Sequence, residues 1–86
     1  MKPDSLYEAV RQILLREWEP IGVVDVPAAQ DEYDVYIQPI VRLVLGHASP
    51  TVLSEHLLRI ENVEMGLRAD RGRAFRAAEK LRALRP

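Results

Sequence analysis

The sequence predicts an all-α fold, a compact four-helix domain with a long ordered loop between helices 1 and 2, and three observations carry that expectation. Apolar residues recur at steps of three and four in four separate stretches. Serine, aspartate, proline and glycine stand where such stretches should start and stop. The chain has 86 residues, enough for one hydrophobic core and too few for two, so residues 1–86 are expected to form a single helical domain.

The first helix is expected over about residues 4–18. Ser5 and Glu8 have the spacing of a capping box, in which two side chains satisfy free backbone N–H groups at a helix start. Leu6, Val10, Ile13, Leu14 and Trp18 then share one face, with Glu8, Arg11, Arg16 and Glu17 on the other. Pro20 and Gly22 end the helix. Residues 19–30 read as an ordered loop, with Ile21, Val23, Val24 and Val26 folded over the helices. Val23 to Val26 could extend, but one lone strand is not a sheet.

The second helix is expected over 31–45, opened by Asp31, Glu32 and Asp34 where the helix dipole favours acids. Tyr33, Tyr36, Ile37, Ile40, Val41, Val44 and Leu45 carry its period, and Gly46 is positioned for a left-handed cap. Pro39 removes a hydrogen bond, so a kink or an early break is expected there. The third helix, 50–65, has Ser49 as N-cap, Pro50 at its first position and Gly66 as its stop, with Leu53, Leu57, Ile60 and either Val63 or Glu64 as its buried stripe. The fourth, 70–84, places Ala74, Ala77, Ala78, Leu81 and Leu84 on one face and Phe75 at the margin.

Composition excludes several function classes. With 48% hydrophobic and 29% charged residues the chain is that of a folded domain, and its net charge of −1 draws it to neither nucleic acid nor anionic lipid as a whole. It has no cysteine, so disulfides, thiolate metal sites and cysteine nucleophiles are excluded together. A charged N-terminus and the lack of a long apolar run point to a cytoplasmic protein with no membrane partner. The charge is polarised. Residues 67–86 carry a local +5 and residues 1–66 a local −6.

Catalysis finds little support. Ser5 and Ser49 read as caps, Ser54 and Thr51 lack a nucleophile-elbow setting, and His47 and His56 read as a helix-end cation and a structural imidazole. Glu61 and Glu64 are one turn apart, which permits chelation in a small metal-dependent hydrolase and equally permits a solvated face. The four glycines are scattered and cradle no phosphate, and no cofactor is expected.

The stretch Trp18-Glu19-Pro20-Ile21-Gly22-Val23, followed by Asp31-Glu32-Tyr33-Asp34, resembles a group of small uncharacterised bacterial helical proteins, the YugE-like domains of unknown function. The likeness covers about residues 10–66, closes on Glu61, Met65, Gly66 and Leu67, and departs from the pattern at Glu19, where Asp is usual. It implies an all-helical fold and a bacterial source, and it carries no activity or catalytic residue.

Three functional expectations follow. The foremost is a non-enzymatic interaction module of immunity or antitoxin type, binding a basic protein through Asp31, Glu32, Tyr33, Asp34 and Tyr36, since aromatics beside charges are what protein interfaces select. The alternative is a nucleic-acid accessory using Arg71, Arg73, Arg76, Lys80 and Arg82, less favoured because those cations also suit a solvated face docked near the acidic part of the chain. The metal-dependent hydrolase at Glu61 and Glu64 is third.

Overall fold

Four helices and no strand make up residues 3–18 and 33–84, the part of the chain that the computed structural model describes. Helix α1 spans Pro3–Ile13 and runs into a π-helical turn, Leu14–Trp18. Helix α2 spans Asp34–Leu45, and α3 spans Pro50–Arg59 and also ends in a π turn, Ile60–Glu64. Helix α4 is Arg71–Arg82. The expected loop over 19–30 and the opening acids Asp31 and Glu32 lie outside the described residues.

The most extensive pairing is α3 with α4, and α1 packs on α2. Helix α4 also meets α1 and its π turn, which joins the two pairs into one core. Ala74, Ala77 and Ala78 are fully enclosed and small enough to let α4 approach its neighbours closely. The Cα radius of gyration is 11.9 Å, the roughly 12 Å expected of a folded chain this long.

Among the described helix starts, that of α1 departs from the expectation, that of α3 agrees with it, and that of α4 has a cap the sequence reading did not assign. Helix α1 already begins at Pro3, so Ser5 is an exposed interior residue and Glu8 accepts instead from the Gln12 amide at 3.0 Å; the expected capping box is not made. Ser49 caps α3 as expected, its hydroxyl accepting from the Val52 N–H at 3.2 Å with Pro50 at the first position. Asp70 caps α4 by accepting from the Arg73 N–H at 3.0 Å. That backbone N–H holds the Asp70 carboxyl below the usual carboxylate range.

The end of α2 differs in its chemistry from the expectation. The left-handed residue is His47, at φ 60°, while Gly46 keeps φ −81°. The His47 N–H donates to Val44 O at 3.1 Å and the Ala48 N–H to Leu43 O at 3.0 Å, the crossed pair of a Schellman motif whose strained position falls one residue past the glycine. Pro39 sits inside an unbroken α2 and is exposed. The carbonyl it deprives of a donor belongs to Val35, a residue 74% exposed, so water can replace the lost bond. Leu45, assigned to the buried face by its period, is half exposed at the helix end.

Both π turns redirect side chains. In the first, Leu15 joins Leu14 and Trp18 in the core, an addition that an α-helical period does not produce. In the second, the Met65 N–H donates to Ile60 O at 2.9 Å, an i→i+5 bond, and Gly66 at φ 64° stops the helix as expected. Each residue of the wider turn advances by less than an α-helical step. The buried stripe therefore ends Leu53, Leu57, Ile60, Glu61, and both Val63 and Glu64 are exposed, against the expectation for them.

Candidate functional site

Trp18 ends the π turn of α1 fully enclosed, and it meets the start of α2 through two rings. Its ring centroid lies 5.4 Å from that of Tyr33 at an interplanar angle of 48°, and 6.5 Å from that of Tyr36 at 88°, the tilted and edge-on arrangements that aromatic quadrupoles favour. Tyr33 is fully buried. Of the proposed acidic-aromatic face, Tyr33 is thus core, and Asp34 faces the Arg11 guanidinium across α1 and α2 at 3.2 Å. Asp31 and Glu32 lie outside the described residues. Tyr36, half-buried, is the member of the set that reaches a concave surface.

That surface is a pocket of about 170 Å³ between α2 and the distal part of α3, lined among the described residues by Tyr36, Pro39, His56, Arg59, Ile60 and Glu64. Helical spacing explains most of the set. Tyr36 and Pro39 are one turn apart on α2, and His56, Arg59 and Ile60 are three and four apart on α3. Glu64 belongs here because of the π turn, whose smaller step per residue carries it back over Ile60 and His56. Pro39 and Ile60 supply apolar wall. Tyr36, His56, Arg59 and Glu64 supply four polar heads, none of which takes part in a hydrogen bond or ion pair among the described residues.

The pocket has a defined protonation. Burial first, and the Arg59 cation second, hold the His56 imidazole below its ordinary value of 6.5. His56 is therefore neutral near pH 7 and able to accept as well as donate. Because the unfolded chain takes up this proton first, the stability contributed is complete above about pH 6.5 and is lost as pH falls through the lower folded value. Denaturant melts between about pH 7 and about pH 5 should show the parent losing more stability than His56→Gln. Parallel pH profiles would contradict the assignment.

The remaining sequence candidates fall apart in space. Glu61 is fully enclosed and its Oε1 accepts from Arg73 Nη2 at 3.0 Å, whereas Glu64 is exposed; the two carboxylates of the proposed metal site do not converge. No group of three metal-capable residues occurs among the described residues. The Ser54 hydroxyl donates to the Thr51 carbonyl at 3.0 Å and is buried, and His47 is exposed at its strained turn, so neither pairs with a nucleophile or base. Arg73 leaves the basic set, since its guanidinium is turned inward to Glu61. Arg71, Arg76, Lys80 and Arg82 remain on the exposed side of α4.

Neither family models, nor curated proteins, nor solved structures match this chain. Sequence inspection placed Arg59 nowhere and treated His56 as structural, because a pocket formed between two helices leaves no mark in the period of either. One signal was present: Tyr36, Pro39, His56 and Ile60 share helical faces with apolar neighbours yet alternate in polarity. Among the described residues no helix is long and apolar enough to cross a membrane.

Proposed function

We propose that this chain is a non-enzymatic protein-interaction module, and that its docking point is the pocket between α2 and α3. The observation that supports this is the convergence of Tyr36, His56, Arg59 and Glu64 around the apolar walls of Pro39 and Ile60, with no partner for the four heads among the described residues. A concavity with an apolar centre and a polar rim is what an anchor side chain of a partner fills. Its volume of about 170 Å³ suits one side chain, not an extended substrate.

The geometry also changes the partner's expected chemistry. A basic partner was inferred from Asp31, Glu32 and Asp34, but Asp34 already faces Arg11. The pocket offers one cation, Arg59, and one anion, Glu64, so the partner should present an apolar anchor with an acid and a base beside it. An immunity or antitoxin role, covering one surface of a single partner, is the form of this proposal that asks no chemistry of the chain. The likeness of residues 10–66 to the YugE-like domains belongs to the same proposal and adds no activity to it.

Affinity capture from lysate of the source cell tests it. Arg59→Glu and Glu64→Lys alter exposed side chains, so each should move the unfolding free energy by no more than about 0.5 kcal/mol. Both should lose a protein that the parent captures. A partner retained by both variants would remove the pocket from the interface.

A further inference from the structure

Arg59 and Glu64 both line the pocket between α2 and α3 and both are exposed, yet they form no ion pair with each other or with any other described residue. The pocket thus presents a cation and an anion held apart at its mouth. Beneath them the wall is apolar, with Ile60 buried on α3 and Pro39 facing from α2. Tyr36 and His56, both half-buried, add a phenol and an imidazole. Burial, and then the Arg59 cation, hold the imidazole neutral near pH 7. Among the described residues the formal charges of the pocket are therefore those of Arg59 and Glu64, and they cancel.

We propose that this pocket binds a free apolar α-amino acid of about the size of leucine, with the side chain against Ile60 and Pro39, the carboxylate on Arg59 and the ammonium on Glu64. Charge complementarity selects this ligand. A simple anion would meet Arg59 but also face Glu64, and a simple cation would meet the reverse. A neutral apolar molecule would cover both charges and pair neither, which costs free energy. The end of a peptide chain carries one of the two charges, and an internal residue carries neither in its backbone. The free zwitterion carries both beside an apolar group, and its zero net charge matches that of the pocket. The Tyr36 hydroxyl and the neutral His56 each have a proton to donate to the carboxylate. Size agrees as well: a cavity of roughly 150 Å³ admits a benzene ring. One of about 170 Å³ takes a branched aliphatic side chain while the charged head group stays at the exposed mouth. The pocket is the one on which the protein-interaction reading rests, but the inference goes beyond that reading, since it asks for the pocket's own groups and for no partner protein.

Titration of the isotopically labelled protein with L-leucine, followed by nuclear magnetic resonance shifts at Tyr36, His56, Arg59 and Glu64, tests it. A Kd on the order of 1 mM is expected for a ligand of about nine non-hydrogen atoms. N-acetyl-leucine lacks the ammonium, leucinamide lacks the carboxylate and glycine lacks the side chain, so each should bind about tenfold more weakly. Glu64→Gln should abolish the preference for leucine over N-acetyl-leucine, and Arg59→Gln the preference for leucine over leucinamide. That exchange of preferences is something a loss of folding would not produce, and since both side chains are exposed the circular dichroism melt should stay that of the parent. No saturable shift up to about 20 mM leucine, equal affinity for glycine, or preferences unchanged in both variants would each overturn the proposal. Leucine binding together with a captured protein that Arg59→Glu and Glu64→Lys both retain would support the proposal and remove the docking reading alone. A partner lost by those variants with no leucine binding would do the opposite.

Discussion

Trp18→Ala should destabilise the protein by about 3–5 kcal/mol, a large part of the roughly 5–15 kcal/mol that holds a domain together. The indole is fully enclosed and touches both tyrosine rings at the start of α2, so its removal opens a cavity where the two helices meet. The neighbours cannot collapse into that cavity easily, because Tyr33 is itself fully buried and fixed in the core. Trp18→Phe should lose clearly less. It retains a ring against both tyrosines and deletes only an indole N–H that has no hydrogen-bond partner among the described residues. Denaturant melts followed by circular dichroism measure both variants. A loss below about 1 kcal/mol for Trp18→Ala would mean that the ring is a surface contact.

Arg73→Met should cost about 3–5 kcal/mol, and Glu61→Met should cost less, although they break the same 3.0 Å contact. The reason lies in exposure. The Glu61 side chain is fully enclosed, while 31% of the Arg73 side chain reaches solvent. Without Arg73, a carboxylate is left in the core with no counter-charge; without Glu61, the guanidinium can turn outward to water. The double variant Glu61→Met with Arg73→Met should recover most of the loss, since two apolar side chains of similar size fill the space with no charge to compensate. A double-mutant cycle in denaturant reads the coupling directly. Additive and equal losses would show that the pair is incidental to stability.

The buried pair was the least legible feature of the chain. In the sequence, Glu61 stands three residues from Glu64 in a charged stretch and Arg73 stands among seven basic residues near the C-terminus, so each looked like one more surface charge. They stand twelve positions apart, and only the packing of α4 on α3 brings them to 3.0 Å. The same stretch of α3 shows why the α-helical period was insufficient. An i→i+5 bond depends on how a helix end is held by its neighbours, and the amino-acid pattern that encodes a 3.6-residue turn does not mark where the turn widens. Either Val63 or Glu64 was consequently assigned inward, and both are exposed, Val63 to 64%.

The tyrosines illustrate a different ambiguity. Tyr33 and Tyr36 are one turn apart and flanked by acids, which fits both an exposed epitope and the entry to a core. Which one holds depends on what lies opposite. Here it is Trp18, delivered by the end of α1, and it draws Tyr33 wholly inside and leaves Tyr36 at the edge of a pocket.

What the sequence by itself determined was local. The Ser49 cap, the Gly66 stop and the apolar stripes Leu6–Val10–Leu14–Trp18, Ile37–Ile40–Val44, Leu53–Leu57–Ile60 and Ala74–Ala77–Ala78–Leu81 follow from interactions within four or five residues, and such interactions are written in spacing. Only the tertiary structure decided which charges are enclosed, which rings are buried and which four heads meet at the α2–α3 pocket. Those outcomes depend on contacts between helices, where a side chain's surroundings are set by residues that its own stretch of sequence does not contain.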